Sequence, residues 1–416
     1  MADLVVELYG TRVGTLTGTW RTFDFVATRS AVEEFGIDST ILSVAIPLAA
    51  VRTRAHKARR QSFFRELLPE GQMLTLLAQQ AGLTEQDVIG LLGTYGRDVA
   101  GALQIWDPDA PGEPKQPDLV PLTIAEVADM LTNVQRNPLG NRPTSGKTSL
   151  AGVQDKIVLV RSSDGWSRPI DGYPSTHILK PESRDFPTMI YDEEYGSRFA
   201  HAAGLSGFHT WIEDFDATPA IVIERYDRSL DAPQGRIHQE DFNQVLGVSG
   251  NAKYQRHGGR VSLVRIAGVL SSVGDQGSLE RLLRMTVVAV ALGNLDLHAK
   301  NISLLHPPDG SMTLAPAYDL VPQAHQPNDQ EMALAVDQEY RHRAITRSHL
   351  VAEGAAWGLS DAERVVDDAL ASVLDTVTAE VPHPRAHPSL RDDITRFTSN
   401  LVAGRAVGDP QLNASA

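Results

Sequence analysis

The sequence predicts an α+β chain: a β-rich N-terminal unit and a mainly helical C-terminal lobe. Three observations predict it. Residues 3–28 alternate in the strand manner as LVVELYG, RVGTLTG and RTFDFVAT, with glycines at the turns, and read as a β-meander. A second β-rich stretch runs from KIVLVRSS to PAIVIERYDR. From about residue 238 onward helical periodicity dominates.

The elements follow in order. FFRELLPEGQMLTLLAQQAG and LTEQDVIGLLGTYG are helical patterns, the second opening on a capping pattern at Thr84. GALQIW at 101–106 is a short strand, and DPDAPGEPKQPD at 107–118 is a Pro-, Asp- and Gly-rich break expected to separate domains. A helix at 123–134 leads into the turn-like NPLGNRPTSGKTS. KIVLVRSS, THILKP, a helix at 190–203, GFHTWIEDF and PAIVIERYDR make a small sheet with one inserted helix. The later helices are interrupted by one hairpin-like stretch, NISLLHPPDGSMTLAP at 301–316. The expected division is a meander with helices at 1–110, a β-rich lobe at 119–235, a helical lobe at 236–403 and a frayed tail at 404–416.

Composition narrows the function. Apolar content of 42%, charged content of 22% and a mean hydropathy of −0.19 are those of a water-soluble globular protein. The longest apolar run, MTVVAVALGNL at 285–295, has the length of a buried helix, and the N-terminus carries no basic leader, so a cytoplasmic enzyme is expected. Absence of cysteine excludes disulfides, thiolate metal sites and cysteine nucleophiles. A net charge of −14 disfavours free-standing DNA binding, which depends on neutralised phosphates. VRTRAHKARRQSFF at 51–64 departs from that trend, with Arg52, Arg54, Lys57, Arg59 and Arg60. It reads either as a solvated basic segment before a helix or as a docking surface for an acidic partner or nucleic acid.

TSGKTSLAGVQDK at 144–156 invites a nucleotide-loop reading. Between Gly140 and Gly146, however, stand five residues where G-x-x-x-x-G-K-[ST] allows four, and no strand leads in. The GKT is not a Walker motif.

NLDLHAKN at 294–301 carries the most chemistry. It leaves an apolar helix and enters a strand, and sets Asp296 five positions before Asn301 with His298 and Lys300 between. Asp319, in APAYDLVP, follows eighteen positions after Asn301. One Asp to accept a hydroxyl proton, then an Asn and a second Asp to hold magnesium, is what phosphoryl transfer needs. Few hard oxygen ligands suit Mg²⁺, which keeps nucleotide phosphates as its remaining partners. Upstream, Lys180 ends a β-branched strand, where it can reach phosphates with Glu193 or Glu194 of the next helix to hold it. Glu224, Arg225 and Tyr226 end a further strand, where backbone groups can meet a purine edge. His383 and His387 have no acidic or cysteine companions nearby in sequence and suggest no metal site.

LYGTRVGTL, FFRELLPEG, GRDVAGALQ, SLAGVQDK, THILKP, ERYDR, IHQEDFNQVLG, KYQRHGG, NLDLHAKN and AYDLVP, in this order, resemble the HipA family, the serine/threonine kinase toxins of bacterial toxin–antitoxin modules. The resemblance implies a two-lobed, protein-kinase-like (lipid-kinase-like) fold that uses ATP and Mg²⁺. It implies Asp296 as catalytic base, Asn301 and Asp319 as magnesium ligands, and Lys180 on the ATP phosphates. Glu224, Arg225 and Tyr226 would line the adenine pocket, and His298 would lie by the reacting phosphates. Ala151, Gly152, Val153, Gln154, Asp155 and Lys156 would form the phosphate loop, with Ser149 as the autophosphorylated serine whose modification expels the loop. A phosphoserine, nearly doubly charged, would repel ATP phosphates from the same place. The implied partners are a helix-turn-helix antitoxin, operator DNA mainly through that antitoxin, and an aminoacyl-tRNA synthetase substrate, chiefly glutamyl-tRNA synthetase. Two alternatives stand beside this reading: a small-molecule kinase, which leaves SLAGVQDK and the meander without a role, and a catalytically silent co-repressor.

Overall fold

The computed structural model describes residues 3–49, 56–141, 147–152, 154–273 and 275–410. Two compact units make up the chain. The first comprises Met1–Pro181, Phe208–Gly250 and Leu305–Ser311, and the second Glu182–Gly207, Asn251–Leu304 and Met312–Ala416.

In the first unit the meander forms β1 (Leu4–Leu8), β2 (Thr11–Thr19) and β3 (Thr22–Ala27). Helices α1 (Arg29–Phe35), α2 (Lys57–Arg65), α3 (Gly71–Ala81) and α4 (Val88–Tyr95) follow, and β4 (Leu103–Trp106) completes an antiparallel sheet of order β3-β2-β1-β4. Two sequence expectations need correction here. FFRELLPEG is not one helix: α2 stops at Arg65, and Pro69, which has no N–H to donate, lies in the turn before α3. Helix α4 starts at Val88 rather than near Thr84, because the Asp87 side chain accepts the Gly90 N–H at 2.9 Å. The basic stretch also changes character. Arg60 is buried in a two-armed pair with Asp24 (2.6 and 3.1 Å), and Lys57 Nζ donates to Thr22 Oγ1 at 2.7 Å. The stem of Arg59 lies against Gly247, while Arg52 and Arg54 fall outside the described residues. Arg60 is therefore part of the packing and cannot serve a docking surface.

A six-stranded antiparallel sheet is built from β5 (Asp118–Leu122), β6 (Ile157–Ser162), β7 (Gly165–Ile170), β8 (His177–Pro181), β9 (Thr210–Phe215) and β10 (Thr218–Glu224), in the order β5-β7-β6-β8-β10-β9. Helix α5 (Ile124–Thr132), opened by a Thr123–Glu126 capping box, packs on β8, β9 and β10. Strands β5 and β7 have polar, interrupted patterns that the sequence reading passed over. Between β8 and β9 comes α6 (Met189–Ala202), which belongs to the second unit. The first unit also contains β11 (His238–Asp241) and α7 (Phe242–Leu246).

By its contacts the first unit runs through the expected boundary at 107–118 unbroken to Pro181. The reason lies in Glu113. Its fully buried carboxylate pairs with Arg97 on one side in sequence and with Lys147 (2.9 Å) on the other.

In the second unit α6 is followed by α8 (Leu263–Ser272) and α9 (Gln276–Leu292). From Val287 to Leu292 no residue of α9 is more than 1% exposed, the mark of a helix buried on every side. Its neighbours are α6, α8 and three later helices, α10 (Arg347–Ala356), α11 (Ala362–Ala379) and α12 (Leu390–Val402). The stretch 301–316 contains two short strands, Ser303–His306 and Thr313–Leu314, and a further hairpin of Glu331–Val336 and Glu339–Arg341 went unforeseen. Residues 404–410 are not frayed as expected. Val407 is fully buried, its N–H donates to Ile345 O at 2.9 Å, and Asn400 Nδ2 donates to the carbonyls of Val407 and Asp409.

Candidate active site

In the second unit, α9 ends at Gly293, whose φ of +69° a glycine adopts without strain. The chain then closes a compact loop on its own atoms. Asn294 Oδ1 accepts the Asp296 N–H at 3.1 Å, and Asp296 O accepts the His298 N–H at 2.8 Å and Asn301 Nδ2 at 2.9 Å. The Asn301 N–H donates to His298 O at 2.9 Å. His298 is buried, with its ring edge-on to Tyr254 at 5.3 Å and Nε2 3.8 Å from Asp296 Oδ2. The Asp296 side chain keeps 37% of its surface in solvent, whereas Asn301 is 8% exposed. The loop therefore presents one accessible carboxylate on a buried support.

Because Asn301 Nδ2 is engaged by Asp296 O, the amide plane is set and its oxygen is directed away from that bond. Asp319 is joined to this loop through its neighbour: Tyr318 hydroxyl donates to Lys300 O and lies 2.7 Å from Ser303 Oγ. Asp319 has φ +57°, a left-handed conformation that Asp tolerates better than most side chains. An amide oxygen and a carboxylate are hard donors of the sort Mg²⁺ takes, with phosphates completing its shell. Among the described residues no group of three or more His, Cys, Asp or Glu is arranged to hold a metal by protein ligands alone. On α6, Glu194 is occupied by Arg198 (2.8 Å), and Glu193 is 3% exposed.

The first unit holds the other predicted residues. Lys180 is buried on β8 opposite Ile221 of β10. Ser149 is fully buried: its hydroxyl donates to Leu67 O at 2.9 Å and its N–H to Asp98 O at 2.9 Å. Thr148 is held by both ends of the Asn141 amide, at 2.8 and 3.0 Å. Beyond Ser149 the chain folds back on itself. Lys156 Nζ donates to Ala151 O at 2.8 Å, and Gly152 O accepts from the Glu70 N–H at 3.4 Å. Gly152 has φ +112°, and a Cβ there would come 2.5 Å from Lys156 Nζ, so both conformation and space call for glycine. Burial pushes the Asp155 carboxyl up. Gln154 lies half-buried in the same bend, and Val153 is outside the described residues.

The strand-end triplet does not behave as expected of a pocket lining. Arg225 turns inward, completely buried, donating to Asp227 (2.8 and 3.0 Å), Ser175 Oγ (2.8 Å) and Val99 O (2.9 Å). With Asp98, Arg228 and Arg236 it forms a buried ionic cluster. Burial alone would raise the Asp98 carboxyl, but the surrounding guanidinium groups hold it below the usual carboxylate range. The Arg225 side chain thus fastens residues 98–101 to the end of β10 and is removed from the list of groups that could touch a ligand. The N–H groups of Glu224 and Arg225 are also engaged, by His209 O and Thr176 O, and the Glu224 carboxylate accepts the His209 N–H. Tyr226 donates to Gln239 and packs on Phe208.

Three supporting residues escaped the sequence reading: Asn294, which seats Asp296, Asp98, which seats Ser149, and Gly196, discussed below. Only the first left a local signal, as the residue after a glycine helix cap.

The architecture is the α+β, kinase-like one. A family model described as the HipA-like C-terminal domain matches residues 148–381, and one described as the HipA N-terminal domain matches residues 4–106. The Sinorhizobium fredii protein Y4mE is 33% identical over 324 residues, covering 75% of this chain and 74% of its own. The serine/threonine-protein kinase toxin HipA of Shewanella oneidensis is 26% identical over 379 residues, 86% of this chain and 84% of that one. A solved structure of the Shewanella oneidensis HipA, HipB and operator DNA complex superposes with a TM-score of 0.75 at 25% identity over 96% of both chains. The chain belongs to the HipA family of kinases.

Proposed function

We propose that the protein transfers the γ-phosphoryl group of ATP to a protein serine or threonine, with Asp296 as the base. The observation that carries this reading is the 294–301 loop, which leaves the Asp296 carboxylate accessible while burying His298 and Asn301. Asp296 accepts the proton of the incoming hydroxyl as its oxygen bonds to the γ-phosphorus and the bond to the β-phosphate oxygen breaks, releasing ADP. Lys180 and the N–H groups of the 151–156 turn hold phosphate oxygens. Asn301 and Asp319 are the residues that would hold Mg²⁺, which neutralises phosphate charge when bound.

Ser149 is the proposed site of self-modification. Its hydroxyl is buried and already donated to Leu67 O, so the segment must leave that seat before the oxygen can reach a phosphate. A phosphoserine there has no hydrogen to donate to Leu67 O, and two negative charges would face a carbonyl. The modified segment therefore stays out.

The external substrate proposed is an aminoacyl-tRNA synthetase, chiefly glutamyl-tRNA synthetase, and the setting is a cytoplasmic toxin–antitoxin pair. No helix among the described residues is long and apolar enough to cross a membrane. A helix-turn-helix antitoxin as the DNA-contacting partner is supported by the complex known for the Shewanella relative, by the net charge of −14 and by the burial of Arg60 against Asp24. The deciding experiment is intact-mass and phosphopeptide mapping of the full chain after incubation with Mg·ATP. A phosphate on Ser149 that is absent from Asp296→Asn supports the reading, and a phosphate that persists in Asp296→Asn removes Asp296 as the base.

A further inference from the structure

The segment that bears Asp319 is laid along one helix. Going up the chain from 317 to 325, its contacts go down α6. The Ala317 N–H donates to Leu205 O at 2.9 Å, just past the helix end. Leu320 sits against Gly196 so closely that a Cβ there would collide with the Leu320 carbonyl oxygen, coming within 3.1 Å of its carbonyl carbon and 3.2 Å of Pro322 Cδ. His325 Nε2 reaches to 3.4 Å from Asp192 Oδ2. Asp192 and Gly196 are four apart and so share a helix face.

Each end of this seat is further secured. The completely buried Asp192 carboxylate also accepts the His387 N–H at 2.8 Å and the Thr188 hydroxyl at 2.7 Å, and the His325 ring stacks on His387 at 4.0 Å. The N–H groups of Gln323 and Ala324 both donate to Gly293 O, at 2.8 and 3.1 Å. Gly293 is the helix cap from which the Asp296 loop departs, so the two loops share an anchor. A glycine in mid-helix is the poorest helix former after proline, and Gly196 has space for nothing larger.

We infer that Gly196 and Asp192 are positioning residues for Asp319: α6 is the bed on which the proposed metal-binding carboxylate is held, with Gly196 setting the depth of the loop and the Asp192–His325 contact its far end. This rests on the reading of Asp319 as a magnesium ligand. A methyl group at position 196 lifts Leu320, the residue after Asp319, away from the helix. Loss of the His325 ring releases the other side of the same loop. Both changes act on how well nucleotide is held through Mg²⁺ and leave the metal-free contacts alone.

The test is titration of the full chain with a fluorescent ATP analogue, once with Mg²⁺ and once with EDTA, for the unaltered chain, Gly196→Ala, His325→Ala and Asp319→Asn. Gly196→Ala and His325→Ala are expected to weaken binding ~10-fold or more in Mg²⁺, the scale at which residues supporting a metal ligand act, and to leave binding in EDTA unchanged. If Gly196→Ala fails to fold, as judged by thermal unfolding, His325→Ala decides. Equal weakening with and without Mg²⁺ would mark a merely structural role and overturn the inference. So would full retention of the Mg²⁺ increment in both variants while Asp319→Asn loses it. If Asp319→Asn keeps the increment, the assignment of Asp319 itself is what fails, and the inference goes with it.

Discussion

The loop at 294–301 and the segment at 147–156 are built in opposite ways. The first is shaped largely from within, by bonds between residues no more than five apart, from Asn294 Oδ1 to the Asp296 N–H and from Asn301 Nδ2 to Asp296 O, with the Tyr318 hydroxyl and the Ala333 N–H bracing it at the Lys300 and Leu295 carbonyls. The second, apart from the Lys156–Ala151 bond, is held by others. Asp98 and Leu67 take Ser149, Asn141 takes Thr148, Glu113 takes Lys147 and Glu70 reaches Gly152. A loop shaped largely by its own bonds keeps most of its geometry when distant residues change, which suits a base that must stand in one place. A segment held from outside can be released without being rebuilt, which suits a part that must move.

Substitutions can break or sharpen this contrast. The largest effect is expected at Asp296→Asn, which removes the base and should lower phosphoryl transfer by roughly 10²–10⁴-fold with the melting temperature unchanged, read by phosphorylation rate and thermal unfolding. Asp98→Ala should do the reverse, taking about 3–5 kcal/mol from the stability of the first unit in denaturant titration. Arg225 and Arg228 would then share Asp227 alone, and Arg236 would lose its Asp98 partner. A small loss there would mean the buried cluster is not what secures the Ser149 seat.

Acidification comes next. Burial holds His238 down at about 3 and His342 at about 4, against an ordinary value of 6.5. Below pH 6.5 the unfolded chain therefore binds protons that the folded chain refuses. Stability is full above that pH and falls as pH drops towards 4, by up to about 2 kcal/mol per histidine by pH 5. Urea unfolding at pH 7 and pH 5 measures it, and His342→Gln should flatten the slope; an unchanged slope would show that His342 does not titrate in this window. The smallest effect belongs to Ser149→Ala, which removes one hydrogen bond to Leu67 O and should cost about 1 kcal/mol or less. Protease susceptibility of the 147–156 segment should rise in that variant and not in Asn301→Ala. The opposite result would reverse the comparison.

The same distinction explains what could be read from the sequence. NLDLHAKN was recognisable because the hydrogen bonds joining Asn294, Asp296, His298 and Asn301 close within the stretch, so the residue types and their spacing carry much of its shape. Strand β6 and helix α9 were readable from uninterrupted apolar runs. The edge strand β5 and its neighbour β7 were not, because their residues are mixed in polarity, and the pairing that makes β5 a strand comes from β7, which lies between β5 and β6. Arg225 was read as a site residue from its place at a strand end, yet its partners Asp98, Val99 and Ser175 lie 50 or more positions away. Gly196 gave no sign at all, since the Leu320 carbonyl that demands it is more than a hundred residues distant. The tail looked frayed because it is rich in small and polar residues, while the Asn400 side chain that captures Val407 and Asp409 sits in the helix before it.

The buried Glu113 has one last consequence. Just before it, Pro108, Asp109, Pro111 and Gly112 are exposed, on the stretch that joins the N-terminal sheet to the six-stranded one. A cut there would sever the polypeptide while leaving the Arg225–Asp98 cluster, the Ser149–Leu67 bond and the Glu113–Arg97 pair to hold the pieces as one body. In their contacts the first hundred residues belong with the six-stranded sheet as one unit, whether or not the backbone between them is continuous.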